Sequence, residues 1–261
     1  MTTVDFITDL FCRVDDEMKE TKKHSQSSLY PSEIVVLGLL HALKGVGNRA
    51  FYRWLIRDYH SLFPKLPERT RLFRLFKTHQ GWAKKFLAKP TLLGVVDSYG
   101  IELIHPIREG RSPNQIGKKG ISNHRWIVGA KLCLVLNQLG EIIAWSWASA
   151  NTHDSHFHDL IEQFKSDSVI FSDTAFHSAK GDPDNLKCCK RGTWNDRMLV
   201  ETVFSMLTTV SHFKKCSQRV TESIQARLAF AVALFNLLIR WSQLNPDSSG
   251  FVPLSIAQFS L

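Results

Sequence analysis

The hydrophobic pattern of the chain changes at Pro90, and this change limits the folds that the sequence can adopt. Residues 1–90 carry apolar residues at helical spacing, with Pro31 opening one helix and Gly45 and Gly47 ending it. After Pro90, β-branched residues follow one another without helical spacing, which is typical of strands. The sequence therefore predicts an all-helical N-terminal segment followed by a part that contains a β-sheet.

The order of elements after residue 90 favours a mixed α/β sheet flanked by helices over a sandwich. Strand patterns cover 91–104, 125–137, 141–150 and 168–172, with a short fifth at 185–190, and residues 108–124 form a polar connection. Helical patterns cover 155–166, 196–210 and 222–244. We expect three parts: a helical N-terminal segment (1–90), whose basic helices suit either DNA binding or an ordinary solvated face, a domain that contains the sheet (91–245), and a C-terminal tail (246–261).

The charge balance favours an anionic partner. The chain has 33 Lys and Arg against 24 Asp and Glu, a formal net charge of +9, which is typical of proteins that bind nucleic acid or an acidic surface. The longest apolar run, 228–239, is shorter than the roughly 20 residues that cross a bilayer. The start of the chain has acids where a signal peptide has basic residues. We therefore expect a cytoplasmic protein without a membrane span.

The five cysteines do not form a disulfide framework, because they are odd in number and lack a CxxC spacing. A zinc site from Cys188, Cys189 and His177 is one reading, and buried free thiols are the favoured one. Asp154 is expected to cap the helix that follows it, and His156 and His158 are expected at the surface of that helix.

Three carboxylates stand in apolar surroundings. Asp97 lies in the middle of the first strand and shares a face with Val95 and Tyr99, Asp173 ends the fourth strand, and Glu201 lies on an apolar helix. An unpaired buried carboxylate is costly unless a basic partner, a protonated form or a metal ion compensates for it. One reading is that buried Arg or Lys residues pair with the two aspartates. The other is a Mg²⁺ site, since Mg²⁺ prefers oxygen ligands and supports phosphodiester chemistry.

Basic residues near these acids are candidates for DNA binding. Arg197 lies four residues before Glu201, in the first helical turn, where the helix dipole disfavours a cation. We therefore expect it to bind a phosphate or to orient Glu201, with an ordinary i,i+4 pair as the alternative. Two further clusters are expected either to follow a DNA backbone or to be ordinary solvated loops: Arg108, Arg111, Lys118, Lys119 and Arg125, and Lys214, Lys215 and Arg219.

The chain resembles the DDE transposases of bacterial insertion sequences from about residue 31 to 243. Four motifs carry the resemblance: Asp97 within GVVDSYGIEL, the segment ANTHDSHFHDL at 150–160, Asp173-Thr174-Ala175-Phe176, and the helix signature Trp194, Arg197 and Glu201. The resemblance implies an RNase H-like core in which Asp97, Asp173 and Glu201 hold two Mg²⁺ ions, with Mn²⁺ as a substitute. It implies cleavage of element ends, joining to target DNA, and a homo-oligomeric synaptic complex.

The chain departs from the family pattern at four places. Ala175 replaces the usual Gly, Trp194 replaces the usual Tyr, Thr208 stands where the family has Lys, and Glu201 follows Asp173 after only 28 positions. These departures leave two alternatives open. One is a catalytically decayed or repurposed DNA-binding protein, and the other is a nuclease of the same fold that cuts DNA without joining it.

Overall fold

The computed structural model describes residues 2–122, 125–190, 197–213, 216, 218–242 and 255–259. Its helices are α1 (Thr3–Met18), α2 (Pro31–Lys44), α3 (Asn48–Asp58), α4 (Arg69–His79), α5 (His158–Glu162), α6 (Arg197–Val210) and α7 (Thr221–Trp241). Its strands are β1 (Leu93–Ile104), β2 (Lys118–Ser122), β3 (Arg125–Asn137), β4 (Ile142–Ser149), β5 (Val169–Asp173) and β6 (Leu186–Cys189).

Helix α2 begins and ends at the residues that the sequence indicates. Pro31 is the first residue of α2, and the backbone N–H of Tyr30 donates to the Glu33 carboxylate. The helix ends at Gly45, whose φ of 66° lies in the left-handed region that favours glycine. The helical character of this segment is therefore confirmed.

The sheet is mixed. Its strands follow the order β2-β3-β1-β5-β6, with β4 also paired to β3. β1 runs antiparallel to β3 and parallel to β5, and β6 runs parallel to β5. With helices on both faces, this is the mixed α/β, RNase H-like arrangement that the sequence predicts.

Two apolar layers cover the two faces of the sheet. Val95, Ile101 and Leu103 of β1 pack in the layer that contains α6, α7 and the N-terminal helices. Val96, one position along, packs in the opposite layer with α5. The period of two along β1 therefore decides which side chains face α6.

Helix α7 is the central helix of the larger layer. It is 21 residues long, longer than the apolar run at 228–239, and by length and composition alone it could cross a membrane. However, 83% of its apolar window is buried inside the protein, which accounts for its composition. The buried Asn236 side chain accepts from the N–H of Ile142 and donates to the carbonyls of Phe86 and Ile142, which ties α7 to β4.

Strand β2 was not expected, because residues 118–122 read as part of a polar connection. The strand is short, it is exposed at both lysines, and it pairs with β3 from Lys118↔Gly129 to Ser122↔Arg125. An edge strand with one polar face lacks the apolar alternation by which strands are recognised.

Candidate active site

Asp97 lies on the face of β1 that is covered by α6. It shares this face with Val95 and with Tyr99, whose ring stacks on Phe204 of α6 at 5.4 Å between ring centroids. The backbone N–H of Ser98 donates to Asp97 Oδ1 at 2.7 Å. The position of Asp97 on the face of Val95 and Tyr99, expected from the period of two, agrees with the structure.

Asp173 ends β5 level with Asp97. The two strands are parallel neighbours with Val95 opposite Phe171, so the residue two positions further along each strand is an aspartate. Adjacent strands lie about 4.8 Å apart, which brings the two residues close together. Asp173 Oδ1 also accepts from the Ala175 N–H at 2.9 Å and caps the short 3-10 turn Thr174–Phe176. This aspartate therefore has a local structural role beside any catalytic one.

Glu201 lies near the start of α6, which packs against β1. It lines a cavity of about 590 Å³ together with Asp97 and Asp173. The structure thus brings all three sequence-predicted carboxylates to one cavity, although they come from two strands and a helix far apart in the chain.

Asp154 is a fourth carboxylate at this cavity, and its expected role as a helix cap was wrong. The cap of the following 3-10 turn is His153, whose side chain accepts from the Ser155 N–H. Asp154 Oδ1 instead accepts from Ser98 Oγ at 2.6 Å and pairs with Lys131 Nζ at 3.0 Å. Both side chains of the pair are only 15% exposed. The motif containing Asp154 was noticed in the sequence, but its separation from Lys131 hid the pair.

His158 was also expected at the surface, and this expectation was wrong. Its side chain is only 15% exposed, and its Nε2 lies 2.6 Å from the Phe176 carbonyl. His177 Nδ1 lies 2.7 Å from Asp182 Oδ2, and this hydrogen bond lowers the pKa of Asp182. These contacts hold the segment that follows Asp173.

The site offers oxygen donors of the kind that Mg²⁺ prefers. Within the described ranges, however, no three Asp, Glu, His or Cys side chains lie close enough together to hold a metal ion. The same holds for the zinc site considered from the sequence: among the described residues, Cys188, Cys189 and His177 do not form a metal-binding group. The donor chemistry therefore fits a divalent cation, while a closed coordination group is not formed by the described side chains.

The sequence-predicted cations lie at different places. Lys118 and Lys119 are exposed on β2, and Arg125 is exposed at the start of β3. Arg197 begins α6, but its side chain lies outside the described part of the structure, as do Lys214 and Lys215. Thr208 lines the carboxylate cavity, and its Oγ1 donates to the Ser205 carbonyl.

Two exposed apolar residues beside the cavity were missed by the sequence reading. Trp126 is 56% exposed and lies opposite Ile121, which is 59% exposed and lines the cavity. Lys119 Nζ lies 4.9 Å from the centre of the Trp126 ring, a cation–π contact. These two residues stand out because they are exposed at the edge of the sheet. This is visible only from the pairing of β2 with β3.

The fold and the carboxylate cavity define an RNase H-like α/β protein. A family model described as the transposase DDE domain matches residues 87–184, which include Asp97 and Asp173 and end before Glu201. The match supports the DDE transposase part of the resemblance drawn from the motifs, over the segment that holds the first two acids. Such domains generally use divalent metal ions and belong to enzymes of DNA transposition. No curated protein matches the chain.

Proposed function

We propose that this protein is the transposase of a bacterial insertion sequence, which binds the ends of the element, cuts them and joins them to target DNA. The observation that supports this proposal best is the convergence of Asp97, Asp173 and Glu201 on one cavity within a chain of net charge +9. The acids suit a cation, and the basic surface suits DNA.

The carboxylates would hold the metal ions. Asp97, Asp173 and Glu201 are the proposed ligands of two Mg²⁺ ions, with Mn²⁺ as a substitute. When bound, such ions stabilise the attacking and leaving oxygens of a phosphodiester. Asp97 and Asp173 stand on neighbouring strands of one sheet, so their spacing is rigid, whereas Glu201 approaches from α6. A rigid pair completed by a helix residue suits a site that must position a phosphate.

Lys131 has a proposed role in balancing charge. Its ammonium pairs with Asp154 at the wall of the same cavity. On this ground Asp154 is given a structural role, and Asp97, Asp173 and Glu201 are the proposed catalytic acids.

The basic residues beside the cavity would hold the DNA backbone. Lys118, Lys119 and Arg125 are exposed on the β2–β3 hairpin, whose Ile121 lines the cavity. Arg197, Lys214 and Lys215, whose side chains lie outside the described part of the structure, are proposed to add phosphate contacts. The proposal includes a cytoplasmic setting and a homo-oligomer that holds two element ends together.

The experiment that tests this function is a joining assay. The DNA that flanks the protein's own gene would be incubated with Mg²⁺ and a target plasmid, using wild type, Asp97→Asn and the control Asp159→Asn, an exposed acid on α5. Joined products in wild type and in the control, with none in Asp97→Asn, would support a transposase. Cutting without joining would identify a nuclease of the same fold.

A second candidate function is DNA binding without catalysis. Two observations favour it: Thr208 stands where the family has a lysine, and the described side chains form no three-ligand metal group. Tight, salt-sensitive DNA binding by both wild type and Asp97→Asn, with no cutting by either, would establish this alternative.

A further inference from the structure

Helices α2 and α3 of the N-terminal segment meet at a sharp, short turn. Only Gly45, Val46 and Gly47 separate the two helices, and the direction of the chain changes by 115° between them. Gly45 permits this turn, because its φ of 66° lies in the left-handed region. Two helices at about 90–120° that are joined by a turn of three or four residues have the geometry of a helix-turn-helix.

A small aromatic core fixes the position of α3. Phe51 and Leu55 of α3 are fully buried. The centroid of the Phe51 ring lies 5.0 Å from that of His41 in α2 and 6.3 Å from that of Phe73 in α4. Helix α4 packs against both α2 and α3. Because one side of α3 is held in this core, its other side faces solvent in a fixed orientation.

The exposed side of α3 is basic. It carries Arg49, Arg53 and Arg57 against one acid, Asp58. Arg57 is bound to Asp58 by two hydrogen bonds of 2.7 and 2.8 Å. The guanidinium groups of Arg49 and Arg53 make no hydrogen bond or ion pair with another described residue. These two arginines are four positions apart, so they lie on the same side of the helix and are open to an anionic partner.

Apolar side chains accompany the two arginines on this side of α3. Ala50 is exposed one helical turn before Arg53, and Ile56 is 47% exposed one turn after it. Ala50, Arg53 and Ile56 line one shallow groove along the helix. In the major groove of DNA, arginine matches O6 and N7 of guanine, and apolar side chains contact the methyl group of thymine. This exposed side therefore suits the edges of base pairs as well as the phosphate backbone.

We infer that α2 and α3 form a helix-turn-helix in which α3 lies in the major groove of the element-end DNA and places Arg49 and Arg53 on base edges. The inference rests on the proposed function, because it takes DNA as the partner. The 11 residues of α3 span about 16 Å, and the major groove admits an α-helix. None of the described residues that line the carboxylate cavity belongs to α3, so sequence reading and cutting use different surfaces.

The first test compares the affinity of full-length wild type for two duplexes, with chelator present so that metal-dependent cutting does not interfere. One duplex is the DNA that flanks the protein's own gene, and the other has the same length and base composition in scrambled order. We expect the flanking duplex to bind at least about tenfold more tightly, since a helix in the major groove reads sequence. Equal affinity for the two duplexes would overturn the inference.

Variants assign this preference to α3. Arg49→Ala and Arg53→Ala should each reduce the ratio of the two affinities about tenfold, at an unchanged melting temperature, because both side chains are exposed. The control Lys165→Ala, which removes an exposed cation after α5, should keep the ratio. A ratio that survives both arginine variants would overturn the inference.

Arg53→Lys separates a base contact from a phosphate contact. It keeps the positive charge but loses the planar guanidinium that binds guanine through two hydrogen bonds. The variant should therefore keep the affinity for scrambled DNA and lose most of the preference for flanking DNA. Wild-type preference in Arg53→Lys would overturn the assignment of Arg53 to a base edge.

Modified DNA tests which groove is read. Replacing the purines of the flanking duplex by 7-deaza analogues removes N7, an acceptor that lies in the major groove. The replacement should weaken binding by wild type and have little effect on the double variant Arg49→Ala/Arg53→Ala. Undiminished binding by wild type would overturn the inference. Failure of the proposed function would be seen separately, as absence of cutting and joining by wild type when metal is supplied.

Discussion

At the scale of single residues, the carboxylate cavity depends on the contacts that hold each acid in place. Asp154 has its own cation in Lys131 and a hydroxyl donor in Ser98. Asp97 and Asp173 accept from backbone N–H groups of neighbouring residues, Ser98 and Ala175. Hydrogen bonds from neighbouring residues thus orient Asp97 and Asp173, and the ion pair with Lys131 orients Asp154.

Lys131→Met is expected to destabilise the protein by about 3 kcal/mol, because it leaves Asp154 charged and largely buried without its partner. Urea unfolding at neutral pH would measure the loss. The double variant Lys131→Met/Asp154→Asn should recover much of it, since no uncompensated charge remains. An unchanged midpoint for Lys131→Met would show that the pair does not support the fold.

Thr208→Lys is expected to strengthen DNA binding, because position 208 lines the carboxylate cavity and the family has a lysine there. One added phosphate contact should steepen the dependence of log K on log salt by about one unit. The matched control is Thr209→Lys, at the next, exposed position of α6. Equal effects of the two substitutions would indicate only a general gain in charge.

At the scale of elements, the hairpin of β2 and β3 is the part of the site that the sequence did not reveal. β1 and β5 could be predicted because their apolar residues are continuous, and the parallel register then places Asp97 level with Asp173. β2 is polar and lies at an edge, so only its pairing with β3 identifies it. Asp154 was misassigned for a related reason, since its partner lies 23 residues away on another element.

Trp126→Ala is expected to weaken binding of single-stranded DNA by about 1–3 kcal/mol, the usual contribution of one aromatic side chain on which a base stacks. Trp126 is 56% exposed on this hairpin beside Lys119. Fluorescence anisotropy with a labelled oligonucleotide would measure the change. Leu139→Ala, at an apolar residue 67% exposed beyond the opposite end of β3, is the control and should have no effect.

At the scale of the whole molecule, the N-terminal helices and the sheet share α7 as a common packing surface. Residues of α1, α2 and α4 lie in one apolar cluster with α7 and with β1, β3 and β4. Phe259, from the C-terminal tail, packs against Trp241 and Phe6. The sequence identified the helices of this layer, but it could not show that α7 serves both parts, because contacts across the chain leave no local pattern.

This shared layer predicts a loss of stability below neutral pH. His41 is buried among Phe51, Phe73 and Phe76, and burial, with a smaller effect of Arg227, lowers its pKa to about 3. An unfolded histidine titrates near pH 6.5, so the unfolded chain binds more protons between about pH 6.5 and 3. Stability should therefore fall as pH drops through this window, by up to about 1.4 kcal/mol per pH unit.

The measurement for this prediction is the free energy of unfolding between pH 4.5 and 7 in wild type and His41→Phe. The variant should show a shallower slope, with a remainder from His79, whose pKa burial also lowers. His60→Gln, at an exposed histidine, is the control for the removal of one histidine. Parallel curves for wild type and His41→Phe would contradict the assignment.

The central claim is that Asp97, Asp173 and Glu201 form one metal-dependent site for DNA cleavage, and Asp173→Asn tests it most directly. Nicking of the DNA that flanks the gene would be followed with Mg²⁺, with Mn²⁺ and with chelator, alongside the Asp159→Asn control. The account predicts metal-dependent nicking in wild type and in the control, and none in Asp173→Asn at an unchanged melting temperature. Nicking by Asp173→Asn at the wild-type rate, or nicking that persists with chelator, would contradict it.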